Sequence, residues 1–515
     1  MSEGIPKIYI KNEKDPIVIV SSGCISPTGK NTKETHENAL KGKTGLRKLT
    51  PKDIANFELM AKVNGATTEE QKRNFFNKIW AEGCGVGAPI PENFIPAFNH
   101  GIWPKTAIDR KNNEVLMGDA MKLLWLSLQE IMEKTPQLFG EDKQLKTEKL
   151  RKATMVDIGN GAGSAVEKIE QKILEISHTG DPNVYGEKRY LLHMLGNMLA
   201  GQIANNIGAG GGHSSSNSAC ASAGVSMSNG FNSIISEASD IVFWGGAETA
   251  TRAVSTYISF DRIMGKRGGA LAKKWEEDKL RDENHPLLAF GGSRDGFVPG
   301  DYGGLQIMMR RKLADEYNLK YCAEVLAVSQ NTCNPLKYGK AQTDGTIRGQ
   351  AELTEKLFQR AGISPNEIKG RLIHYMHGTG TIAGGINEIY AAAKYLGELA
   401  LDKKYIITSN KERHGHSLGA AFVDSVIEAC EAIQDKKIAG MYSTKEIDFK
   451  FITPQSEIFK KENLSNTDIT PEHLKAISEA ILLGKNTDLF KEDLIMCDAK
   501  GFGGTNAACL LKPIF

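Results

Sequence analysis

The sequence predicts an α/β protein built from two similar halves. Short β-branched runs that end in Ser or Gly alternate with stretches of helical apolar spacing. This alternation occurs twice, and 515 residues are enough for a duplicated unit with a large core. Strands that alternate with helices indicate a sheet covered by helices. Because no clean sequence repeat is visible, the duplication rests on the order of the elements alone.

The first round has three predicted strands and three predicted helices. The strands are PIVIVSSGC (16–24), MVDIGNGAG (155–163) and DIVFWGGAE (240–248). The helices are predicted within 31–45, 107–134 and 189–208. Asn31 or Thr32 is the expected N-cap of the first helix. The charge-rich segment 266–286 is too polar to pack and is predicted to lie on the surface.

The second round ends several of its predicted strands in polar loops. Residues 303–312 and 321–330 are predicted to be adjacent strands, and 351–362 a helix. The later strands lie in RLIHYMHGTGT (371–381), in YIITSNKERHGHSLGAAFVDSVIEACEAI (405–433), which continues into a helix, and on both sides of the glycine turn of DLIMCDAKGFGGTNAACLLK (493–512). Functional loops of α/β proteins gather at strand ends, so these loops are the candidates for a site.

The composition excludes several classes of partner and location. The net charge of +2 argues against nucleic acid or an anionic membrane as a partner. The eight cysteines are scattered without a CxxC pair or zinc spacing, so we predict neither a metal nor a disulfide framework. No apolar run approaches the ~20 residues that span a bilayer, and the N-terminus lacks an apolar signal region. We therefore expect a reduced, cytoplasmic, soluble protein without a membrane span.

Four polar clusters follow predicted strands. Cys220 lies among small residues in NSACASAG, directly before a predicted helix. A helix N-terminus stabilises a thiolate, which predicts a lowered pKa for this cysteine. The other clusters hold His377 (HGTGT), Lys411 and His416 (SNKERHGHSLGAA), and Phe502 (GFGGTN), whose glycines are suited to presenting backbone N–H groups to an oxyanion.

Each cluster alone has a plain structural explanation. A lone cysteine is usually a small core residue, and a lone histidine is usually a satisfied polar residue. His414 and His416 are two residues apart and would face opposite sides of a helix, so they do not form a metal site. The glycine run 208–212 lacks both the Walker lysine and the dinucleotide spacing.

Taken together, the clusters are specific. The sequence resembles the β-ketoacyl-acyl carrier protein synthases, the decarboxylating condensing enzymes with a Cys-His-His site. The matching blocks run in the family's order along most of the chain: SSGCISPTGKN, GNGAGSA, NMLAGQIANNIG, NSACASAG, WGGAE, RDGFVPGDYGG, HGTGT, SNK followed five residues later by His416, GHSLGAA and GFGGTN.

The resemblance implies the thiolase fold, in which two βαβαβαββ halves form a five-layer α-β-α-β-α core. We place the N-terminal half at 1–320 and the C-terminal half at 321–515, with insertions at 51–150, 266–290 and 440–490. The resemblance further implies a homodimer, an acyl carrier protein as partner, and no cofactor. The expected reaction is condensation of malonyl-carrier protein with an acyl group, which extends the chain by two carbons in fatty acid biosynthesis.

The family's roles carry over residue by residue. Cys220 matches the nucleophile that holds the acyl group, and His377 and His416 match the pair that stabilises the enolate formed by decarboxylation. Lys411 matches the lysine that orders the histidines. The backbone N–H groups of Cys220 and Phe502 match the second oxyanion site, and Phe502 also matches the gate of the acyl pocket. Supporting roles are implied for Glu388, Gly503, Thr379 and Thr381.

Three positions depart from the family pattern. Ser425 stands where a carboxylate is usual, with Asp424 beside it, and Gly385 stands where an aspartate is usual. Lys500 replaces a residue that is usually aromatic. The Asn387-Glu388 pair is similar to that of condensing domains in large multifunctional fatty acid synthases.

The long insertions are expected to be surface decoration or to alter the carrier-protein dock or the acyl tunnel. Arg262, Lys266 and Arg267 are the candidates for a basic dock, because the carrier protein of this family is acidic. Phe260 and Met264 are the candidates for the acyl pocket.

Four alternatives stay open at the level of sequence. An initiating synthase would prime from acetyl-CoA, and a polyketide-type ketosynthase would use the same residues on other chains. A thiolase would need a second active-site cysteine near the last glycine turn, where Phe502 stands. A non-catalytic chain-length partner would typically lack Cys220.

Overall fold

The computed structural model describes residues 15–79, 85–97, 101–104, 108–109, 114–115, 117–162, 166–181, 195–253, 255, 259–260, 272, 285–333, 346–453, 464 and 469–515. Ten strands of these ranges form one mixed sheet. The first five are β1 (Ile17–Ile25), β2 (Thr154–Gly159), β3 (His213–Ser216), β4 (Ile241–Thr249) and β5 (Asp301–Arg310). The next five are β6 (Ala323–Thr332), β7 (Leu372–Tyr375), β8 (Tyr405–Thr408), β9 (Leu494–Lys500) and β10 (Thr505–Pro513).

The two sets of five strands have the same order and the same directions. The sheet runs β8-β7-β9-β10-β6-β1-β5-β4-β2-β3. The middle strand β2 is parallel to β3 and β4, and β7 is likewise parallel to β8 and β9. The remaining pairs are antiparallel, including a short β1–β6 pairing that joins the two sets. The repeated order confirms the predicted duplication, while the boundary between 320 and 321 stays a prediction.

The predicted adjacency of the strands within 303–312 and 321–330 was wrong. β1 lies between β5 and β6 and pairs with both. The reason is the duplication itself, since each set places its first strand at the edge where the two sets meet. Such a pairing joins residues about 300 positions apart, which local spacing does not show.

Fourteen α-helices are described. They are α1 (Thr32–Leu40), α2 (Phe57–Val63), α3 (Glu69–Ile79), α4 (Asp119–Lys134), α5 (Glu148–Ala153), α6 (Val166–Thr179), α7 (Met198–Ile207), α8 (Ser222–Ile235), α9 (Arg311–Glu316), α10 (Ile347–Ala361), α11 (Ile382–Leu401), α12 (Lys411–His414), α13 (Ala421–Asp435) and α14 (Pro471–Glu479). In the described ranges, none of them is both long and apolar enough to cross a bilayer.

Helices α8 and α13 form the central layer. α8 contacts β2 and β4 on one side and β6 and β10 on the other, and α13 contacts both β5 and β9. Every α13 residue from Ala421 to Ile433 is buried, as expected of a helix enclosed on all sides. α4 covers β1 and β5, and α10 covers β6 and β10. The protein therefore has the five-layer thiolase fold that the resemblance implied.

One predicted helix begins later than expected, and another is described only in part. Within 107–134 the helix starts at Asp119, and Ile108–Asp109 pairs with Glu114–Val115 as a short antiparallel ribbon. Within 189–208 the described helix is Met198–Ile207, and residues 189–194 lie outside the described ranges. At α1 the expected cap is confirmed, because the Asn31 side chain accepts the Glu34 N–H at 2.8 Å.

Candidate active site

Cys220 lies in a tight turn between β3 and α8. The preceding residue, Ala219, has a φ of +49°, a left-handed conformation that is costly for a residue with a Cβ. The turn is closed by Ser222, whose Oγ accepts the Ser218 N–H and donates to the Ala219 carbonyl. The thiol is thereby placed beside the first turn of the central helix α8 and is 4% exposed.

The Cys220 thiol faces His416. The distance between Cys220 Sγ and His416 Nε2 is 3.0 Å. Burial, together with the nearby Glu248 carboxylate, raises the pKa of Cys220 to about 12. Lys411 and the backbone N–H groups of Cys220 and Phe502 act in the opposite direction but are outweighed. The predicted lowering of this pKa was therefore wrong, because the sequence did not show how deeply the thiol is enclosed.

Two imidazoles converge above the thiol. The rings of His377 and His416 lie 5.1 Å apart, nearly perpendicular to each other, and Phe297 packs edge-on against His416 at 5.0 Å. Burial lowers the pKa of both histidines well below the usual value, and the Lys411 charge acts in the same direction. Both side chains are therefore neutral at physiological pH.

Lys411 is fully buried behind the histidines. Its ammonium group donates to Asn410 Oδ1 at 2.8 Å. Burial lowers the pKa of Lys411, while the carboxylates of Asp424 and Glu388 act to raise it. Its charge lies close enough to His377 and His416 to lower the pKa of both, while its role in ordering the histidines stays a prediction.

Phe502 closes the other side of the thiol. It stands in the β9–β10 turn, and the following Gly503 and Gly504 have φ values of +90° and +84°, which glycine adopts without strain. The Phe502 ring lies 6.0 Å from that of Phe260, which also packs against Phe297 at 5.3 Å. Phe260, predicted to line the acyl pocket, is therefore brought to the same side as Phe502.

The converging side chains line one cleft. Its walls are formed by Cys220, Phe297, Gln350, His377, Thr379, Thr381, Gly384, Glu388, His416, Lys500, Gly501 and Phe502. Of the residues given supporting roles, Thr379, Thr381 and Glu388 face the cleft, whereas Gly503 shapes the turn beside it. Gln350 was not predicted, because it sits on α10 in a segment without any motif.

Glu248 is a second residue that sequence reasoning missed. It is the last residue but one of β4, inside the WGGAE block, and its carboxylate accepts the N–H groups of Gly161 (2.7 Å), Ala162 (3.2 Å) and Gly419 (3.2 Å). Burial raises its pKa to about 7. This carboxylate ties the loop after β2 to the loop after His416 beneath the cleft. A buried strand that ends in a charged residue was the available signal.

At two of the positions that depart from the family pattern, 425 and 385, other groups make the contacts or occupy the space. Ser425 Oγ donates to the Ala421 carbonyl within α13, and the neighbouring Asp424 bonds His414 Nδ1 at 2.9 Å. A Cβ at Gly385 would lie 3.0 Å from Arg294 Nε, so the space of the usual aspartate is occupied by a guanidinium group.

Within the part of the chain that the structure describes, two groups of side chains have the spacing of metal ligands: Cys220, His377 and His416, and His414, Asp424 and Glu428. In the second group His414 bonds Asp424 and Glu428 bonds Arg413, so its donors are already engaged. The first group faces the cleft, where its thiol and imidazoles are also suited to acyl chemistry.

Met264, Arg262, Lys266 and Arg267 lie outside the described residues. The same holds for most of the 266–290 insertion. The acyl-pocket and carrier-dock assignments at these positions stay predictions.

Comparison with known proteins agrees with this geometry. Residues 129–314 match the N-terminal domain of β-ketoacyl synthases, and residues 325–445 match the C-terminal domain. A "3-oxoacyl-[acyl-carrier-protein] synthase homolog" of Saccharomyces cerevisiae is 24% identical over 96% of this chain and 98% of its own length. The "3-oxoacyl-[acyl-carrier-protein] synthase 2" of Staphylococcus aureus is also 24% identical, with the same coverage.

A solved structure shares the fold. It holds a type II polyketide ketosynthase bound to the hexaketide, in complex with its acyl-carrier protein. The match covers 97% of the present chain and 100% of the matched chain in that structure. The TM-score is 0.67 at 18% identity. Fold and matched domains together place the chain among the condensing acyltransferases of the thiolase-like fold. It belongs to the β-ketoacyl synthase family.

Proposed function

We propose that the protein condenses an acyl group held as a thioester on Cys220 with malonyl-acyl carrier protein, giving 3-oxoacyl-carrier protein in fatty acid biosynthesis. The observation that carries the proposal is the convergence of one thiol and two neutral imidazoles in one buried cleft. Cys220 Sγ is 3.0 Å from His416 Nε2, and the His377 ring is 5.1 Å from the His416 ring.

The first step transfers the acyl group to the protein. His416 Nε2 takes the thiol proton, and the sulfur of Cys220 attacks the carbonyl carbon of the acyl thioester. The backbone N–H groups of Cys220 and Phe502 are arranged around the sulfur and stabilise the oxyanion that forms. The carbon–sulfur bond to the carrier arm then breaks, and the departing thiolate takes the proton back from His416.

The second step breaks the bond between the malonyl carboxylate and its methylene carbon. The electron pair moves into the thioester as an enolate while carbon dioxide leaves. A neutral imidazole carries one N–H, and His377 donates its N–H to the enolate oxygen. After acylation the Nε2 of His416 is again unprotonated, so His416 donates as well once its proton has moved from Nδ1 to Nε2 by exchange with solvent. Lys411 keeps both rings neutral by opposing a second proton on either.

The third step forms the carbon–carbon bond. The enolate carbon attacks the carbonyl carbon of the acyl group on Cys220. The bond between that carbon and the cysteine sulfur breaks, and the 3-oxoacyl chain stays on the carrier arm. The thiolate of Cys220 then takes one proton from solvent, which balances the negative charge that entered with the malonyl carboxylate.

We also propose an acyl carrier protein as partner, a homodimer and a cytoplasmic location. The polyketide ketosynthase of similar fold is bound to its acyl-carrier protein, which supports the proposed partner.

The two edges of the sheet differ, and the difference supports a dimer. The edge strand β8 is covered, since Ile407 bonds Ala480 and Leu482, whereas no strand of the described ranges pairs with the outer edge of β3. An open edge is suited to pairing with a second copy. The seven cysteines in the described ranges are free, which supports a reducing compartment.

Intact-mass analysis tests the reaction. The protein is mixed with a graded series of acyl-carrier proteins, and we expect one acyl mass to be added to wild type and none to Cys220→Ala. Malonyl-carrier protein is then added, and the 3-oxoacyl product and carbon dioxide are measured. Wild-type Cys220 left unmodified by every acyl donor would refute the proposal. Acylation by acetyl-CoA with acetyl-carrier protein inert would favour an initiating synthase instead, and several rounds of extension without reduction would favour a polyketide-type enzyme.

A further inference from the structure

Lys500 lies between two loops that line the cleft, the HGTGT loop after β7 and the GFGG turn after β9. It is the last residue of β9, and only Gly501 separates it from Phe502. Its Nζ lies 2.5 Å from Asp498 Oδ2 and 4.0 Å from Glu388 Oε2. The side chains of Lys500, Asp498 and Glu388 are 8%, 6% and 1% exposed, so this charged group is almost entirely enclosed. We refer to these three residues as the Lys500 clamp.

Both carboxylates of the clamp hold the backbone of the HGTGT loop. Asp498 Oδ1 accepts the N–H of His377 at 2.9 Å, and Glu388 Oε2 accepts the N–H of Gly378 at 2.9 Å. These are the first two residues of the loop that carries the His377 imidazole. A hydrogen bond to an ionised acceptor is about twice as strong as a neutral one, so ionised carboxylates fix the loop more firmly than protonated ones.

Two enclosed carboxylates need a cation between them. Desolvation and mutual repulsion both disfavour ionisation of adjacent buried acids. Burial raises the pKa of Glu388 to about 7, although Lys500 opposes this. Asp498 is also buried, yet Lys500 and His374 hold its pKa well below the usual value. His374 Nε2 lies 3.0 Å from Asp498 Oδ2, and its Nδ1 bonds the Tyr405 hydroxyl at 2.5 Å.

We infer that Lys500 is a positioning residue, which keeps the Asp498 and Glu388 carboxylates on the backbone N–H groups of His377 and Gly378 and so holds the His377 imidazole where the enolate forms. The inference rests on the proposed function. Lys500, which stands where the family usually has an aromatic residue, would thus act in decarboxylation rather than in acylation of Cys220. The acylation half depends on His416, which forms no hydrogen bond or ion pair with the three clamp residues and whose backbone N–H is held separately by the Val298 carbonyl at 2.6 Å.

The test compares Lys500→Met with a matched control, Lys152→Met. Lys152 is 76% exposed and pairs with Glu148 on the surface, so its loss removes one lysine without touching the cleft. For Lys500→Met we expect kcat for malonyl-carrier protein decarboxylation to fall at least tenfold, with KM changed less than threefold. Acylation of Cys220, followed by intact mass, should stay within threefold of wild type. Lys152→Met should match wild type in both.

The pH profile distinguishes positioning from a merely structural role. The charged and titratable groups beside the clamp and His377 are His374, Tyr405, Arg294, Lys411, His416, Cys220 and Cys497. Removing the Lys500 charge makes Asp498, Glu388 and His377 all take up protons at higher pH. The acid limb of decarboxylation should therefore move upward by at least one pH unit in Lys500→Met and stay in place in Lys152→Met.

Each other outcome overturns the inference. An unchanged decarboxylation rate would show that the loop is held without Lys500. A raised KM with unchanged kcat would show that Lys500 binds the substrate carboxylate, and a parallel fall in acylation would show a collapsed cleft. If Lys500→Met does not fold, Asp498→Asn is used, and the same split between decarboxylation and acylation is expected. A wild-type protein inactive in both half-reactions would instead refute the proposed function.

Discussion

The Nε2 atom of His416 lies 3.0 Å from the Sγ atom of Cys220, and the thiol it faces is uncharged because burial raises its pKa to about 12. A thiol that is protonated at neutral pH needs a base when it reacts. His416 is placed to be that base, since burial and Lys411 keep its imidazole neutral and able to accept a proton.

His416→Ala should therefore slow acylation of Cys220. General-base catalysis is worth roughly 10²–10⁴-fold, and we expect a loss in that range at pH 7. The measurement is the rate at which the acyl mass appears on the intact protein. The control is His178→Ala, which removes an exposed histidine of α6. Acylation at the wild-type rate in His416→Ala would show that the thiol is activated without this imidazole.

His377→Ala should separate the two half-reactions in the opposite way. A ring nitrogen of His377 lies within 4.8 Å of Cys220 Sγ, but the hydrogen bond to the thiol is made by His416, so acylation should change by no more than a few fold. Decarboxylation of malonyl-carrier protein should fall roughly 10²–10³-fold, the usual cost of one oxyanion donor. Both rates are measured on the same preparation. An equal loss in both would contradict the division of labour between the two histidines.

Lys411→Met should change the pH dependence of the cycle. The Lys411 charge helps to lower the pKa values of His377 and His416, so its removal raises both. A histidine with a higher pKa is protonated at higher pH, and the acid limb of the kcat profile should move upward. Lys152→Met serves as the control, and thermal unfolding checks that the variant is folded. An acid limb that stays in place would show that Lys411 does not act on the imidazoles.

Glu248→Gln should alter the pH dependence of stability. The pKa of Glu248 is raised from 4.5 to about 7, so the folded protein binds more protons at this site than the unfolded chain between those values. Its contribution to stability is fully present below pH 4.5 and is lost as pH rises to about 7. The lost free energy is roughly 3 kcal/mol.

The measured quantity is the free energy of unfolding, wild type minus Glu248→Gln, from denaturant titrations at pH 4 and pH 8. We expect this difference to decrease with pH by roughly 3 kcal/mol. The control variant Glu148→Gln removes an exposed carboxylate that pairs with Lys152, and its difference from wild type should not change with pH. The substitution also removes a charge that raises the pKa of Cys220, so iodoacetamide should alkylate the thiol faster at pH 8. A slower alkylation would contradict the assigned electrostatic effect.

The sequence predicted the cleft well where local pattern and chemistry coincide. His377, His416 and Phe502 each follow a short apolar strand, Cys220 follows the short polar strand β3, and strand ends of a doubled α/β fold meet at one place. Their order along the chain resembled one family, and the structure brings all four to one cleft. A strand followed by a polar loop is a pattern of a few neighbouring residues, so the positions of these four residues could be predicted from the sequence.

Properties that depend on distant contacts could not be predicted. The pKa of Cys220 is set by enclosure between two halves of the chain, and a helix N-terminus alone suggested the opposite direction. Arg294 occupies the space beside Gly385 although 91 positions separate them. The role inferred for Lys500 depends on Glu388, which lies on α11 and far from β9 in sequence. Each of these is a relation between residues that no local spacing connects.

Gly503→Ala tests whether the Phe502 N–H serves the oxyanion. Gly503 has a φ of +90°, and a Cβ there would meet no atom within 4 Å, so the cost of alanine is one of backbone strain alone. Relief of that strain shifts the neighbouring Phe502 N–H away from the thiol. We expect acylation of Cys220 to slow at least tenfold, since one misplaced oxyanion donor costs up to 10²–10³-fold.

Gly180→Ala is the matched control for this variant. Gly180 also has a positive φ, +69°, and open space around the Cβ position, but it lies in the segment after α6. Both variants should lose a similar roughly 1–2 kcal/mol of stability by thermal or denaturant unfolding. Only Gly503→Ala should lose acylation rate, because only its turn carries an N–H that faces Cys220. Equal acylation rates in the two variants would show that the Phe502 N–H does not stabilise the reacting oxygen.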